Sequence, residues 1–228
     1  MKPFTINIPV YNEEKILVEN TEKLIDYLNK LGIEYEIIIV ANGSRDKTFE
    51  LGQDLERKYN QVRFFDIPEV GVGRALRKAI EEAKYSHIIS LDMDLSVDLS
   101  FVSDANKLLD SNILVVGSKP QGSQKRTLLR KIGSGGYIVL AKILFGLDLD
   151  DFSIGAKGFN REYVLKNNKY IDNYTNYVLN LAIKSTKDKM PIAVVPIKCK
   201  DFRSSKFCLW KEGLYRYAML FKAYLFFK

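Results

Sequence analysis

The chain has 228 residues, 46% hydrophobic and 28% charged, which suits a globular protein with a substantial core and argues against disorder. Its 35 Lys and Arg against 28 Asp and Glu leave a net charge of +7. That charge favours an anionic partner without choosing among nucleic acid, a phosphorylated small molecule and an acidic lipid surface. The one histidine, His87, sits in an apolar strand pattern, and Cys199 and Cys208 lack metal-ligand spacing, so a Ser-His-Asp triad, a Cys-His pair and a zinc site have no basis.

In chain order, "FTINIPV" reads as a strand and Glu13 to Leu31 as a helix. "YEIIIV" is a continuous apolar run, as in a strand buried on both faces, and Asp46 to Tyr59 is helical. Strand "VRFFDI", helix Gly73 to Lys84, strand "HIISLD", helix Val97 to Leu109 and strand "NILVVGS" follow. Regular alternation predicts parallel βαβ units, an α/β fold with a mostly parallel sheet and helices on both faces. Ligands of such sheets bind beyond the carboxyl ends of the strands. Pro9, Tyr11, Asn12 and Glu13 fall at or just after the first strand's end, Asn42, Gly43 and Ser44 after the second, Gly71 and Gly73 beyond the third, and Asp92 and Asp94 at the fourth.

The pattern changes near residue 118. "SKPQGSQKRTLLRKIGSGG" is basic and rich in Gly and Ser, the composition of a loop entering a helix. Tyr137 to Phe145 reads as helix, "AKGFN" as a short strand, Tyr174 to Lys184 as helix and "PIAVVPIKC" as strand. The last stretch, Leu209 to Lys228, is aromatic and basic. No repeat or linker divides the chain, so one domain over 1–207 is expected, followed by an amphipathic, membrane-interfacial helix over 208–228. Aromatic rings and long lysines suit a headgroup boundary, and the interspersed charges oppose spanning. No run of 18 apolar residues appears, the amino end reads straight into a strand, and two thiols fit a reducing compartment.

Asp92 and Asp94 carry the strongest chemical signal. At spacing two, both lie on one side if the strand continues and converge if it turns. Like charges so close raise one another's pKa unless a cation intervenes. A hard divalent ion, Mg2+ or Mn2+, resolves this with oxygen ligands, water and substrate phosphates; a solvated acidic turn is the plainer alternative. "GVGRAL" follows the third strand, whereas the dinucleotide fingerprint follows the first, so a Rossmann dehydrogenase is disfavoured. Arg130 and Ser134, four apart on a helix, share a face, and with Lys119, Lys125 and Arg126 they make a cationic patch.

These segments together resemble a known family. "IPVYNEE", "VANGSRDKT", "GVGRALRKAIEEA", "LDMDLS", "VVGSK", "DFSIGAKGF" and "VPIKCKDFRSSKF" match, in order, motifs of family 2 glycosyltransferases of the GT-A fold, a Rossmann-like architecture. Within that family the chain is similar to the dolichyl-phosphate mannose and glucose synthases over residues 4 to about 207. The resemblance implies a metal-dependent, inverting enzyme that moves a sugar from a GDP-mannose or UDP-glucose type of donor to a polyprenyl or dolichyl phosphate.

By that resemblance the donor is bound by Pro9, Tyr11, Asn12, Glu13, Asn42, Gly71, Arg74, Asp92, Lys119 and Ser134. The metal is held by Asp92 and Asp94 with Ser96, and the implied catalytic residues are Asp92, Asp94, Arg130 and Arg203, the two arginines acting on phosphates. Asp151, Ser153, Lys157 and Lys206 shape the acceptor side. The implied partners are the nucleotide-sugar, the lipid phosphate and an anionic membrane surface, with no nucleic acid. The implied location is cytoplasmic, peripheral on the cytoplasmic membrane face. The chain departs from the family's paired aspartates after the second strand, which are Ala41 and Asn42 here, and Lys119 stands for an arginine. Transfer to a sugar hydroxyl, with Asp151 as base, and an inactive nucleotide- or lipid-binding module are the alternatives.

Overall fold

The structure, a computed structural model, describes residues 1–119, 128–199 and 209–227, with side chains over 1–119, 136–199 and 213–227. Seven successive residues of β2 (Tyr35–Asn42), from Glu36 onward, are buried, as are all four of β4 (His87–Ser90). Burial without alternation means that both faces are covered. With β1 (Phe4–Val10), β3 (Val62–Ile67), β5 (Leu114–Ser118), β6 (Lys157–Asn160) and β7 (Ile192–Pro196), they form one sheet in the order β3-β2-β1-β4-β6-β5-β7. β6 runs antiparallel to β4 and β5, and every other pairing is parallel.

The helices are α1 (Leu17–Asn29), α2 (Thr48–Lys58), α3 (Val72–Glu82), α4 (Ser100–Leu108), α5 (Leu128–Phe145), α6 (Arg161–Lys166), α7 (Tyr177–Lys187) and α8 (Leu209–Phe227). β1 and β3 coincide with the runs read from sequence. α1 starts at Leu17, not Glu13, because the backbone N–H groups of Glu13 and Glu14 donate across to Thr48 Oγ1 (2.9 Å) and Asp46 Oδ2 (3.1 Å). α4 starts at Ser100, not Val97. Val97 bridges to Cys199, and the Asp98 N–H donates to the Lys198 carbonyl. α6, absent from the sequence reading, is under two turns long and is capped by Asn160, whose side chain accepts from the Tyr163 N–H.

α8 lies against α5 and α7. Leu220, Ala223 and Phe227 are buried on one stripe, while Leu214, Phe221, Leu225 and Phe226 on the remaining surface are each more than 60% exposed. The helix expected at a membrane surface is therefore also part of the folded domain on one side. Among the described residues, no helix is long and apolar enough to cross a membrane.

Candidate donor and metal site

The order of the strands locates the site. The chain moves outward from β1 to β2 and β3, then returns to place β4 on the other side of β1. The crevice at such a reversal lies beyond the carboxyl ends of the two central strands. Tyr11 to Glu13 leave β1 there, and Leu91 to Leu95 leave β4 beside them. The Asn7 side chain ties the two strands, its amide donating to Ser90 Oγ (3.0 Å), and the Leu91 N–H donates to the Asn7 carbonyl.

The first loop is held by the second. Asn12 has a left-handed backbone (φ 53°). Its N–H donates to Ser44 Oγ (3.0 Å), and its Oδ1 accepts from the Arg45 N–H (2.7 Å). Pro9 is half-buried in β1 and Tyr11 is exposed at the rim. Asn42 is buried, and its amide donates to the Val10 carbonyl (2.8 Å) and accepts from the Gly71 N–H (3.0 Å). Asn42, expected among the donor ligands, thus joins three loop ends as a strut between them.

The loop before α3 is shaped by close approach. A Cβ on Gly71 would overlap the Asn173 carbonyl, and one on Gly73 would overlap the Asp172 carbonyl. Only glycine lets the 172–174 backbone pack on this turn. The Gly73 N–H donates to that Asn173 carbonyl (3.2 Å), and Arg77 donates to Ile171 O and Asn173 Oδ1. Arg74, half-buried on the first turn, has its Nε buried with no hydrogen-bond partner among the described residues.

The acidic centre follows β4. Asp92 to Leu95 form a turn closed by the Leu95 N–H to the Asp92 carbonyl (3.1 Å), with Leu95 at φ 47°. Asn20 fixes the turn by donating to the Met93 carbonyl (2.9 Å). Asp94 Oδ1 accepts from the Ser96 N–H (3.1 Å), and Ser96 Oγ lies 3.8 Å from Cys199 Sγ. Asp92 is exposed as a residue, while protein surrounds its carboxylate closely enough to desolvate it. Desolvation holds its carboxyl above the usual range; Lys157 opposes this, Asp94 adds to it, Lys119 opposes it and Glu13 adds to it. Glu13, Asp92, Asp94 and Lys119 are thus brought into one electrostatic neighbourhood.

Lys157, expected at the acceptor entrance, is buried on β6 opposite Ser90, its Nζ 3.4 Å from Tyr177 Oη. Burial pulls its ammonium down to about 8 despite the attraction of Asp92 and Asp151. Desolvation likewise raises the Tyr177 phenol. Asp151 Oδ1 accepts from Ser153 N (2.7 Å), Ser153 Oγ (2.7 Å) and Ile154 N (3.2 Å), so that oxygen is spent on shaping its own loop. Lys125, Arg126, Arg203 and Lys206 lie outside the described residues, as do the side chains of Arg130 and Ser134 on α5.

Gly155, which the sequence reading did not single out, packs beneath Asp92, and Arg216 of α8 lies within electrostatic range of Lys157 and Tyr177. The glycine was visible in "DFSIGAKGF"; nothing local marked Arg216. A cavity of about 280 Å3 between Leu147–Leu149 and Met190–Ile192 opens near the amino end of β7 and contains none of these groups.

The family profile described as Glycosyl transferase family 2 matches residues 5–166, spanning β1 through α6. The chain belongs to glycosyltransferase family 2. Among the family's relatives, it is 27% identical over 220 residues to dolichyl-phosphate beta-glucosyltransferase ALG5C of Trichomonas vaginalis, covering 89% of this chain and 65% of that protein. It is 22% identical over 218 residues to glycosyltransferase AglD of Haloferax volcanii, covering 92% of this chain and 35% of that one. The chain thus spans under two-thirds of the length of each. In three dimensions it superposes on glucosyl-3-phosphoglycerate synthase of Mycobacterium tuberculosis with a TM-score of 0.68 at 18% identity, over 99% of this chain and 80% of that one. Another structure of that synthase, in complex with Mn2+, UDP-glucose and phosphoglyceric acid, superposes with a TM-score of 0.67 at 18% identity, over 98% of this chain and 79% of that one. The GT-A architecture of this family 2 glycosyltransferase is the one implied by its motifs.

Proposed function

We propose that the protein is an inverting glycosyltransferase that moves glucose from UDP-glucose to a polyprenyl or dolichyl phosphate at a membrane surface. The observation that carries this reading is the meeting of Asp92, Asp94, Glu13, Lys119 and Lys157 at the β1–β4 crevice. The names of relatives at 27% identity support glucose and a lipid phosphate.

The acidic centre fits a divalent ion, Mg2+ or Mn2+. Asp92 and Asp94 offer hard oxygens, and their mutual repulsion leaves negative charge for a cation to offset. Among the described residues, no group of three or more His, Cys, Asp and Glu could hold a metal. The carboxylates would supply part of a shell that water and a diphosphate complete. When bound, the ion offsets charge on the departing nucleoside diphosphate.

The chain's own residues do the rest. The Asn12 and Asn42 struts fix the floor on which base and ribose would lie. Lys119 places a cation near the diphosphate, and Lys157 keeps positive charge beneath Asp92. A phosphate monoester acceptor is already anionic near neutral pH, so in-line attack on the anomeric carbon needs orientation more than a base. The engagement of Asp151 Oδ1 within its own loop favours this over a hydroxyl acceptor with Asp151 as base.

The apolar flank supports a membrane setting. Val139 and Ile143 of α5 are 54% and 74% exposed, beside Leu214, Phe221, Leu225 and Phe226 of α8. α5 and α8 touch, so two contacting helices both carry exposed apolar side chains. The test is transfer from labelled UDP-glucose or GDP-mannose to a short polyprenyl phosphate, with Mg2+ or Mn2+. Polyprenyl-phosphate glucose from UDP-glucose is expected, and no product, or product from GDP-mannose alone, overturns the proposal.

A further inference from the structure

α3 begins without a capping side chain, because its N-cap position is Gly71. The first N–H groups of a helix have no partner within it. Here a carbonyl from elsewhere takes two of them: Asn173 O accepts from Gly73 N (3.2 Å) and Arg74 N (3.4 Å). Arg77, further along α3, grips the same segment through Ile171 O (2.9 Å) and Asn173 Oδ1. The turn that carries Gly71 and Arg74 is therefore closed by residues 171–174, a distant part of the chain.

That segment is held in turn by α8. Asp172 Oδ2 accepts from the Tyr174 N–H (2.9 Å) and from Tyr215 Oη (2.5 Å). Its Oδ1 is buried with no hydrogen-bond partner among the described residues, so these two bonds through Oδ2 orient the carboxylate. Hydrogen bonds to a carboxylate are of the stronger, charge-assisted kind. The Tyr174 and Tyr215 rings also meet edge-on, with centroids 5.7 Å apart. Near the other end of α8, the Phe227 ring stacks on Tyr170 at 5.2 Å and Phe226 meets it edge-on at 5.9 Å. α8 thus fastens the 170–174 segment at two places.

The α3 turn leads on to the crevice. Its Gly71 N–H donates to Asn42 Oδ1 (3.0 Å), and the Asn42 amide donates to the Val10 carbonyl (2.8 Å) at the end of β1. Contacts therefore run unbroken from Tyr215 through Asp172, Asn173, the 71–74 turn and Asn42 to β1. We propose that Tyr215 and Asp172 are positioning residues for the nucleotide-sugar, acting through the α3 turn. The assignment rests on the donor reading above and deepens it: α8, which lies outside the span of the family match, helps to set donor affinity. Without the Tyr215 hydroxyl the 172–174 backbone loosens. The Asn173 carbonyl then caps α3 less firmly, and the turn that carries Arg74 shifts.

The test uses the full chain and two readouts: amide exchange by nuclear magnetic resonance, and titration calorimetry with UDP in the presence of Mn2+. Tyr215→Phe keeps the ring against Tyr174 and removes only the hydroxyl. Exchange at Gly73 and Arg74 should quicken about threefold or more, while β1 and β2 exchange as in wild type. The UDP Kd should rise roughly three- to thirtyfold. Asp172→Ala should do the same, and adding Tyr215→Phe to it should change little further. Asp172→Asn keeps an accepting oxygen and should lie nearer wild type. Should Asp172→Ala fail to fold, the contrast between Tyr215→Phe and Asp172→Asn still decides. Unchanged exchange at Gly73 and Arg74 in Tyr215→Phe overturns the assignment, as does faster exchange throughout the sheet. Faster local exchange with unaltered UDP affinity also overturns it. Failure of wild type to bind either UDP or GDP would overturn the donor reading and this assignment with it, a result distinguished by exchange at Gly73, which needs no nucleotide.

Discussion

The Asp92 carboxylate rests directly on the Cα of Gly155: a methyl group built there would overlap both carboxylate oxygens and their carbon. A residue of the 151–157 loop thus sets the position of the principal acidic group at the end of β4. Gly155→Ala should displace that carboxylate, because backbone of the loop cannot yield as a flexible side chain would. The expected result is roughly 10–100-fold weaker Mn2+ binding in the presence of nucleoside diphosphate, the scale on which supporting residues act at metal centres. Electron paramagnetic resonance of free Mn2+ reads this without turnover. Unchanged affinity would mean that Asp92 is not a ligand or that the loop moves freely.

Asp94→Asn keeps the shape of the turn, since its Oδ1 can still accept from the Ser96 N–H. It removes one negative charge from the pair. Activity should fall by at least about 100-fold, comparable to loss of one preorganised electrostatic group, while the melting temperature holds or rises through relief of repulsion with Asp92. Full activity in excess chelator would remove the metal from the proposal.

How the sequence announced this site, and where it was silent, follows from the range of the interactions. β1 and β3 were legible to the residue because apolar runs flanked by Pro and Asn state their own ends. Asp92 and Asp94 were legible because their chemistry is local to one turn. The burial of Lys157 was not, since it depends on β6 entering antiparallel between β4 and β5, a long-range pairing no local pattern encodes. Arg216 was hidden for a related reason. The charges of α8 lie on no single face, so only packing on α5 and α7 reveals which stripe points inward. Asn42 was noticed as a departure from a paired-aspartate motif, but its role as a strut needed Val10 and Gly71 to be seen beside it.

Asn42→Asp restores the family's carboxylate and tests that strut. The Asn42 amide both donates to Val10 O and accepts from Gly71 N, whereas an ionised aspartate only accepts. The carbonyl of Val10 would lose its donor and face a carboxylate. A loss of about 1–3 kcal/mol in unfolding free energy is expected from urea denaturation. Equal stability would show that the loops shift to suit either residue.

His87 gives a pH signature separate from the site. Buried on β4, its imidazole is held below its ordinary pKa chiefly by desolvation, which Asn106 and Asp110 only partly offset. The unfolded chain therefore binds the proton more readily than the folded one, and stability rises with pH. The contribution is complete above about pH 6.5, the ordinary histidine value, and is lost as pH falls from there through the folded value. Asp92 and Asp66 are shifted upward and act with the opposite sign, so the measurement is a difference between wild type and His87→Leu across pH 5–7. Wild type should lose stability relative to the variant on acidification, and a constant difference would mean that His87 titrates normally in the fold.

The exposed stripe of α8 offers the clearest trial of the membrane setting. Phe221 and Leu225 are 63% and 62% exposed, one turn apart, and Lys222 is exposed beside them. Burying such a side chain in an apolar phase contributes about 1.5–3 kcal/mol, and each 1.4 kcal/mol is about tenfold in partitioning. The double substitution Phe221→Ser and Leu225→Ser should lower flotation with anionic vesicles by tenfold or more. Because neither side chain is in the core, the melting temperature should change little. Lys222→Glu should weaken flotation at low salt and have less effect at high salt, since attraction of lysine to an anionic surface is screened within a Debye length. Wild-type flotation by the doubly substituted chain would assign this stripe to contact with protein and leave the acceptor to arrive by another face.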